Sequence, residues 1–522
     1  MIKKVNGKYV LKVSNKEDFG KQVPRNLITN IIFFLINILI GIFLVPFFID
    51  TLGVAGYGLI PLATSVTNYV GLVTQSLNIS VSRFLTVDLR RKDFKKANII
   101  FNTAFFGTFG IILLLIPAVF IISYYAPDFF KVPSNQKYEV TLLFLGIMGA
   151  FLTKTLSSVF GVSLFAYNRL DLQNIIELFN ILLQVFLIIM LFSVFSPRLS
   201  FIGLSYLIGA IFAFIITFYF SRKVNPHFNI NYLDFKLSQL KEIAGMSKWL
   251  ILNQIGALLF LQIDLIVVNK LFGAAAGGEY ASVLIWSILL RSMAGVLSGV
   301  LTPVILTYYA TNRFEEIINI SKSSVKFMGF AMALPIGFIS AFAPQILSIW
   351  LGPGFMKLAP LMWIFLSHLI INLSVLPLFS INTAFNKVRI PGILTLIMGV
   401  GNLSLALIIP HITGWGYYGV AVAGAIVLTF KNSLFIPWYA TKVLGIPKHT
   451  FIGSMLPGVI STIMIAGVII GINRNINIST IIPMIITGIV MTMIYLSIIW
   501  LVGLNSSERK IIKSFIPFQQ GD

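Results

Sequence analysis

Between Asn26 and Asp50 the chain reads NLITNIIFFLINILIGIFLVPFFID, and apolar runs of about this length recur along the whole sequence. A helix of roughly 20 apolar residues spans the ~30 Å hydrocarbon core of a bilayer. In that medium every backbone N–H and C=O must be bonded within the protein, which leaves helices or a closed barrel. Strands of alternating apolar and polar residues are absent, so the runs are read as helices. The pattern predicts an all-α integral membrane protein of 14 transmembrane helices, near residues 27–49, 59–81, 98–124, 140–165, 174–196, 201–220, 249–271, 280–305, 323–350, 358–383, 390–410, 418–439, 451–472 and 478–503. The charged fraction of 11% agrees, since a soluble domain carries roughly a quarter.

The first 26 residues are polar and Lys-rich, and no small-residue cleavage motif follows the first apolar run, so the first helix is expected to stay in the protein. There is no cysteine, and the four histidines form no zinc-ligand pattern, so no metal site or cofactor is expected. A net charge of +21 raises the question of nucleic acid, but placement answers it. Seven Lys and Arg precede helix 1, six follow helix 2, five follow helix 6 and eleven more lie in connections on the same side, so 29 of 38 share one face. The opposite loops hold only Lys131, Lys137, Arg198, Lys357 and Arg474. Basic residues collect on the cytoplasmic side of a membrane protein, so both termini are expected there, with no nucleic-acid partner.

The sequence also repeats itself. LGVAGYGLI (Leu52 to Ile60) and FGAAAGGEYASV (Phe272 to Val283) each close an apolar run with a Gly, turn through small residues and open the next run with a Tyr. Phe94 and Phe314, in the connections that follow, keep the same offset of 220 residues. Two six-helix lobes of like orientation, a parallel pseudo-repeat around a central cleft, are therefore expected. The boundaries are 1–26 for the basic N-terminus, 27–220 for the N-lobe, 221–248 for a cytoplasmic linker, 249–439 for the C-lobe, and 440–522 for helices 13 and 14 with the C-terminus.

The stretch NLITNIIFFLINILIGIFLVPFFIDTLGVAGYG, with SLNISVSRF and RKDFKKANIIFNTAF after it, resembles the polysaccharide-transporter family, the O-antigen and capsule-repeat flippases of the multidrug/oligosaccharidyl-lipid/polysaccharide (MOP) exporter superfamily. The resemblance covers essentially the whole chain. It implies a V-shaped two-lobed transporter, not an enzyme, that carries a polyprenyl-pyrophosphate-linked oligosaccharide from the cytoplasmic to the outer leaflet by alternating access. It also implies a bilayer-embedded protein beside glycan polymerase machinery, with helices 13 and 14 as a groove wall for the polyprenyl tail.

An ionisable group at mid-membrane costs about 2.5–3.5 kcal/mol on insertion scales and is a functional candidate by default. Lys154, Arg291 and Lys431 lie midway along helices 4, 8 and 12, and three unneutralised cations would cost roughly 8–10 kcal/mol. A hydrated cleft and a substrate pyrophosphate would relieve that cost, with Arg gripping the anion by two bonds and Lys by one point charge. Ion pairing and snorkelling are the competing readings. Arg83, at the inner end of helix 2, fits either the cleft mouth or a headgroup contact, and Lys270 reads as a snorkelling anchor.

Asp264, on helix 7, stands about 10 Å below the outer surface and Arg291 about 16 Å below it on the next helix, so the two are expected either to pair or to form a coupling site for H⁺ or Na⁺. Asn253, Gln254 and Gln262 would complete such a site or simply bond helices together. His368 reads as a hydrogen-bonded structural imidazole. The alternatives are a multidrug or cation antiporter of the same superfamily, which would call for an acidic cleft, and a membrane glycan polymerase or ligase, which needs a catalytic loop. No GxxxxGK[ST] motif is present to bind ATP.

Overall fold

The computed structural model describes residues 2–5, 8–11, 16–90, 93–167, 169–226, 228–299, 301–476, 478–506 and 508–509. A short antiparallel pair, Ile2–Val5 with Lys8–Leu11, precedes an otherwise helical chain. Among the described residues twelve helical stretches are long and apolar enough to cross a bilayer. Two of them are far longer than one crossing needs: Ile28–Tyr69 has 42 residues and Gln254–Gly299 has 46, against the ~20 that span the hydrocarbon. Each contains one glycine off the helical path, Gly53 (φ 74°, ψ 166°) and Gly273 (φ 88°, ψ 174°). These are the glycines of the repeated bend, and both take a backbone conformation open at little cost only to a residue without a Cβ.

By contacts the chain forms two compact units, residues 1–258 with 265–279, and residues 259–264 with 280–522. The first holds α1 (Lys16–Arg90), α2 (Phe94–Phe129), α3 (Lys137–Ala166), α4 (Leu170–Val194), α5 (Leu199–Val224), most of α6 (Leu237–Leu261) and the stretch from Leu265 to Glu279 of α7 (Ile263–Gly299). Within the segment 221–248, expected as a cytoplasmic linker, three residues bond to α2 of the first unit. Asn98 Nδ2 donates to Asp234 Oδ2 (2.8 Å), Asn102 Nδ2 to Asn229 O (2.8 Å), and Lys236 N to Thr103 Oγ1 (3.1 Å). Polar backbone between helices needs such partners, and α2 supplies them.

Close helix approach within this unit depends on small residues, as in membrane proteins generally. A Cβ on Gly203 of α5 would stand 2.8 Å from Leu142 O of α3. The repeated corners also pack on one another: a Cβ on Gly58 would meet Ala274 O and Gly278 N, and one on Gly278 would overlap Val54 O. Val54 and Ala274, like Gly58 and Gly278, are 220 residues apart, so the repeat touches itself in a pseudo-symmetric way.

The second unit holds the remainder of α7, α8 (Leu301–Ala310), α9 (Phe314–Ala341), α10 (Ala343–Leu351), α11 (Ala359–Ser367), α12 (Leu369–Ser374), α13 (Phe379–Ala384), α14 (Arg389–Thr413), α15 (Tyr417–Thr429), α16 (Ile436–Leu444), α17 (Ile452–Ile476) and α18 (Ile481–Ile498). The stretch expected as one helix at 358–383 is split into α11, α12 and α13, with a 3₁₀ turn at Leu376–Leu378 around Pro377, whose ring cannot continue an α-helix. Between α15 and α16 the residues Phe430–Phe435 form a π-helical turn. The pair α17 and α18 packs on α9, where a Cβ on Gly329 would lie 3.2 Å from Gly458 Cα and Tyr495 OH donates to Phe330 O at 3.0 Å.

Replacing Gly278 by Ala is expected to cost about 1–3 kcal/mol by overpacking the corner. Ala at Gly110 in α2, where nothing lies within 4 Å, should be neutral or stabilising by up to about 1 kcal/mol. Thermal unfolding of the two purified variants in one detergent compares them directly, and equal midpoints would contradict the packing.

Candidate functional site

The second unit encloses a cavity of about 260 Å³ lined by Asp264, Ser287, Arg291 and His368 against apolar walls that include Phe260 and Phe365. Its carboxylate is placed by a local break. Where one continuous helix 7 is expected, α6 stops at Leu261 and α7 begins at Ile263, so Asp264 occupies the first turn of a helix. Free backbone N–H groups and the positive end of the helix dipole favour a carboxylate there. Asn402 Nδ2 donates to Asp264 Oδ1 at 2.9 Å and Tyr280 OH to Asp264 Oδ2 at 3.3 Å. Gly424 lets the α15 backbone come close, since a Cβ there would be 3.1 Å from Asp264 Oδ2.

The Asp264–Arg291 ion pair, one of the two arrangements expected, is not formed. Both carboxylate oxygens are bonded to neutral donors, while Arg291 Nε donates to Ser287 Oγ one turn away on its own helix at 3.1 Å. Asn402 Nδ2 also donates to Leu259 O (3.1 Å), whereas Asn402 Oδ1 is buried with no hydrogen-bond partner among the described residues. An unpaired oxygen acceptor therefore sits beside a buried carboxylate, and oxygen ligands suit a hard cation or a proton carrier such as water. His368 Nδ1 lies 2.5 Å from Asn372 Nδ2, the hydrogen-bonded imidazole that was expected.

Lys431 sits in the π-helical turn and is only 5% exposed. Its Nζ is 4.6 Å from the centre of the Phe260 ring and 5.8 Å from that of Phe379. Aromatic faces attract a cation by about 2 kcal/mol when desolvated, part of what a lost hydration shell costs. Phe260 faces the lysine and also lines the Asp264 cavity, so Lys431 stands one ring from Arg291's cavity. Among the described residues no carboxylate lies within 4 Å of Arg291 or Lys431. π-turns occur often at functional sites because the extra residue re-aims side chains.

The other expected cations lie elsewhere. Lys154, in the first unit, bonds Glu177 Oε2 at 3.1 Å, and Asn180 Nδ2 donates to the same oxygen at 3.2 Å. Both charges are half-exposed in a cavity of about 410 Å³ that also presents Asn78, Ser157, Gln173 and Asn174. Lys154 thus has its own counter-ion, so the three unneutralised cations expected from sequence become two. The backbone of Arg83 lies in α1, but its side chain is outside the described residues, as is that of Asn253. Lys270, expected as a snorkelling anchor, donates to Phe129 O at 2.8 Å with its Nζ 3.8 Å from that ring's centre. Reading the sequence missed Asn402, Tyr280 and Phe260. An Asn inside an apolar helix was the available signal for Asn402, and Tyr280 was visible only as a repeat marker.

No protein-family profile matches the chain. It is 32% identical over 487 residues to the "Uncharacterized membrane protein EpsK" of Bacillus subtilis (strain 168), covering 93% of this chain and 96% of that one. Among solved structures it superposes on the lipid II flippase MurJ in an inward closed conformation with a TM-score of 0.61, at 15% identity, over 93% of this chain and 99% of that one. A multidrug resistance MATE family transporter of the MOP superfamily, inward-facing, gives 0.56 at 16% identity, over 81% and 93%. The chain belongs to the same family as EpsK, is a multi-pass membrane protein, and has the fold of MOP-superfamily transporters.

Exchanging Asn402 for Leu is expected to cost about 1–3 kcal/mol, the penalty for removing a donor from a buried acceptor. With Asp264→Leu already in place the same exchange should cost less, because only the bond to Leu259 O is then lost. A double-mutant cycle on unfolding in detergent measures the coupling, and additive effects would mean the two side chains do not interact.

Proposed function

We propose that this member of the EpsK family is a flippase that moves a polyprenyl-pyrophosphate-linked oligosaccharide from the cytoplasmic to the outer leaflet for cell-surface polysaccharide synthesis. The observation that carries the reading is the pair of cations in the second unit, Arg291 and Lys431, without a carboxylate partner among the described residues. A buried cation that lacks an internal partner is stabilised when an anion arrives, and a pyrophosphate offers several acceptor oxygens to a guanidinium fork. Shared fold with a lipid II flippase supports this choice among the activities of the superfamily. A cation exporter would need the opposite sign, yet among the described residues Asp264 is the one acid lining the cavity that holds Arg291.

In this reading the two kinked stretches are two crossings each, which turns twelve spans into 14, and an even number returns both termini to the cytoplasm. The pseudo-repeat then forms two lobes that alternate access to a central cleft. Lys154 and Arg83 contribute from the first lobe, Lys154 by exchanging Glu177 for substrate. Asp264 is the coupling group: H⁺ or Na⁺ binding between its carboxylate and Asn402 Oδ1 changes the charge beside Arg291 and so its hold on phosphate. The chain acts in the cell membrane of a prokaryote next to the machinery that polymerises the delivered glycan.

Arg291→Ala and Lys431→Ala should each abolish surface glycan at unchanged protein level in the membrane. A charge-assisted hydrogen bond is worth about 1.5–3 kcal/mol, so Arg291→Lys, which keeps charge but loses the fork, should weaken binding of the pyrophosphate lipid roughly ten- to hundred-fold. Normal display in both Ala variants would refute the reading. Asp264→Asn should flatten the dependence of transport in proteoliposomes on an imposed proton or sodium gradient. A gradient response equal to that of the unaltered protein would reduce Asp264 to a structural role.

A further inference from the structure

The second unit holds another polar cavity, of about 620 Å³, that shares no lining residue with the Asp264 cavity. Three elements meet there: α9 with Glu316, Lys322 and Lys326, the start of α17 with Ser454, and the segment after α18 with Asn505 and Glu508. Its level in the membrane follows from α9 itself. From Phe314 to Lys326 this helix is rich in polar residues, and from Phe327 to Phe342 it is almost wholly apolar. Lys322 and Lys326 therefore stand where the helix leaves water for hydrocarbon, the depth of lipid headgroups. Deeper along the same seam α9 and α17 close together at Gly329 and Gly458, so the cavity is the open end of a packed interface. On the flank of α17 Leu456, Ile460 and Ile463 are more than half exposed and offer an apolar path for acyl chains.

Part of the cavity's charge is already used. Lys326 Nζ bonds Glu508 Oε2 at 2.8 Å, with 19% and 6% of the two side chains exposed. Asn505 N donates to the same oxygen (2.9 Å) and Glu508 N to Asn505 Oδ1 (2.8 Å), a reciprocal helix cap that fixes the carboxylate in place. What remains is Lys322 and Glu316, opposite in sign, both lining the cavity and neither in an ion pair among the described residues. A simple anion would meet Lys322 but face two carboxylates. A simple cation would meet Glu316 but face two lysines. The arrangement favours a ligand that carries both signs on adjacent groups, and pockets between helices at this depth are where lipid headgroups are recognised.

We infer that this cavity binds the headgroup of a phosphoethanolamine lipid, its phosphate on Lys322 and its ammonium on Glu316, with Asn319, Ser323 and Ser454 as hydrogen-bonding neighbours. Such a lipid fills the open end of the seam between α9 and the α17–α18 pair. This site is independent of the transported substrate and of the charge reading in the Asp264 cavity.

Native mass spectrometry of the delipidated full-length protein, titrated with phosphatidylethanolamine, phosphatidylglycerol and phosphatidylcholine, tests it. Phosphatidylethanolamine should be retained about tenfold over phosphatidylglycerol, the value of one charge-assisted contact, and also over phosphatidylcholine, whose ammonium has no hydrogens to donate. Glu316→Lys should reverse the first preference in favour of phosphatidylglycerol, a gain that misfolding cannot mimic, and Lys322→Glu should lose both. Soluble glycerophosphoethanolamine should fail to displace the lipid at equal concentration. Equal retention of the lipids by the unaltered protein, an unchanged preference in Glu316→Lys, or displacement by the soluble headgroup would each overturn the assignment.

Discussion

Charge carried into hydrocarbon has to be compensated from within the protein, and the described residues do this in four different ways. Lys154 has a carboxylate at ion-pair distance. Asp264 has two neutral donors and a helix N-terminus. Lys431 has ring faces, and Arg291 has a hydroxyl on its own helix. These solutions are unequal. An ion pair removes most of the field a charge presents to its surroundings, whereas a ring face or a hydroxyl leaves much of it in place. The second unit thus retains positive potential at two positions where the first neutralises it, and the proposed phosphate recognition rests on that difference.

The same solvent explains the backbone. Helices are obligatory, so departures from them are confined to places where something else satisfies or terminates the hydrogen-bond ladder. Gly53 and Gly273 turn the chain at two corners, and Pro377 divides a stretch of the second unit. Interruptions at Gln262 and at Phe430–Phe435 are of another kind, because neither contains Gly or Pro at the break. Both bring an ionisable group, Asp264 or Lys431, to a place a straight helix would not give it.

Much of this was legible in the sequence where the determinant is local. The apolar runs, their approximate ends and the paired Gly corners follow from length, composition and a backbone conformation that only Gly takes readily. The fold of the MOP-superfamily transporters was an expectation of the same kind, because NLITNIIFFLINILIGIF and the segments after it are contiguous patterns. What the segment 221–248 bonds to was not legible for a corresponding reason: its polar residues look like solvent-exposed chain, and the bonds of Asn229, Asp234 and Lys236 to Asn102, Asn98 and Thr103 involve a helix more than 120 residues earlier.

Sequence by itself determined that this chain crosses a membrane many times as helices, bends twice at equivalent glycines and carries a few costly charges at depth. Only tertiary structure decided which of those charges keep a free field. Glu177 reaches Lys154 across 23 residues and Asn402 reaches Asp264 across 138, and such pairings depend on how helices are rotated and packed. Residue spacing along one helix sets a side chain's height and face, but its partner is chosen by whichever neighbouring helix the small residues allow to come close.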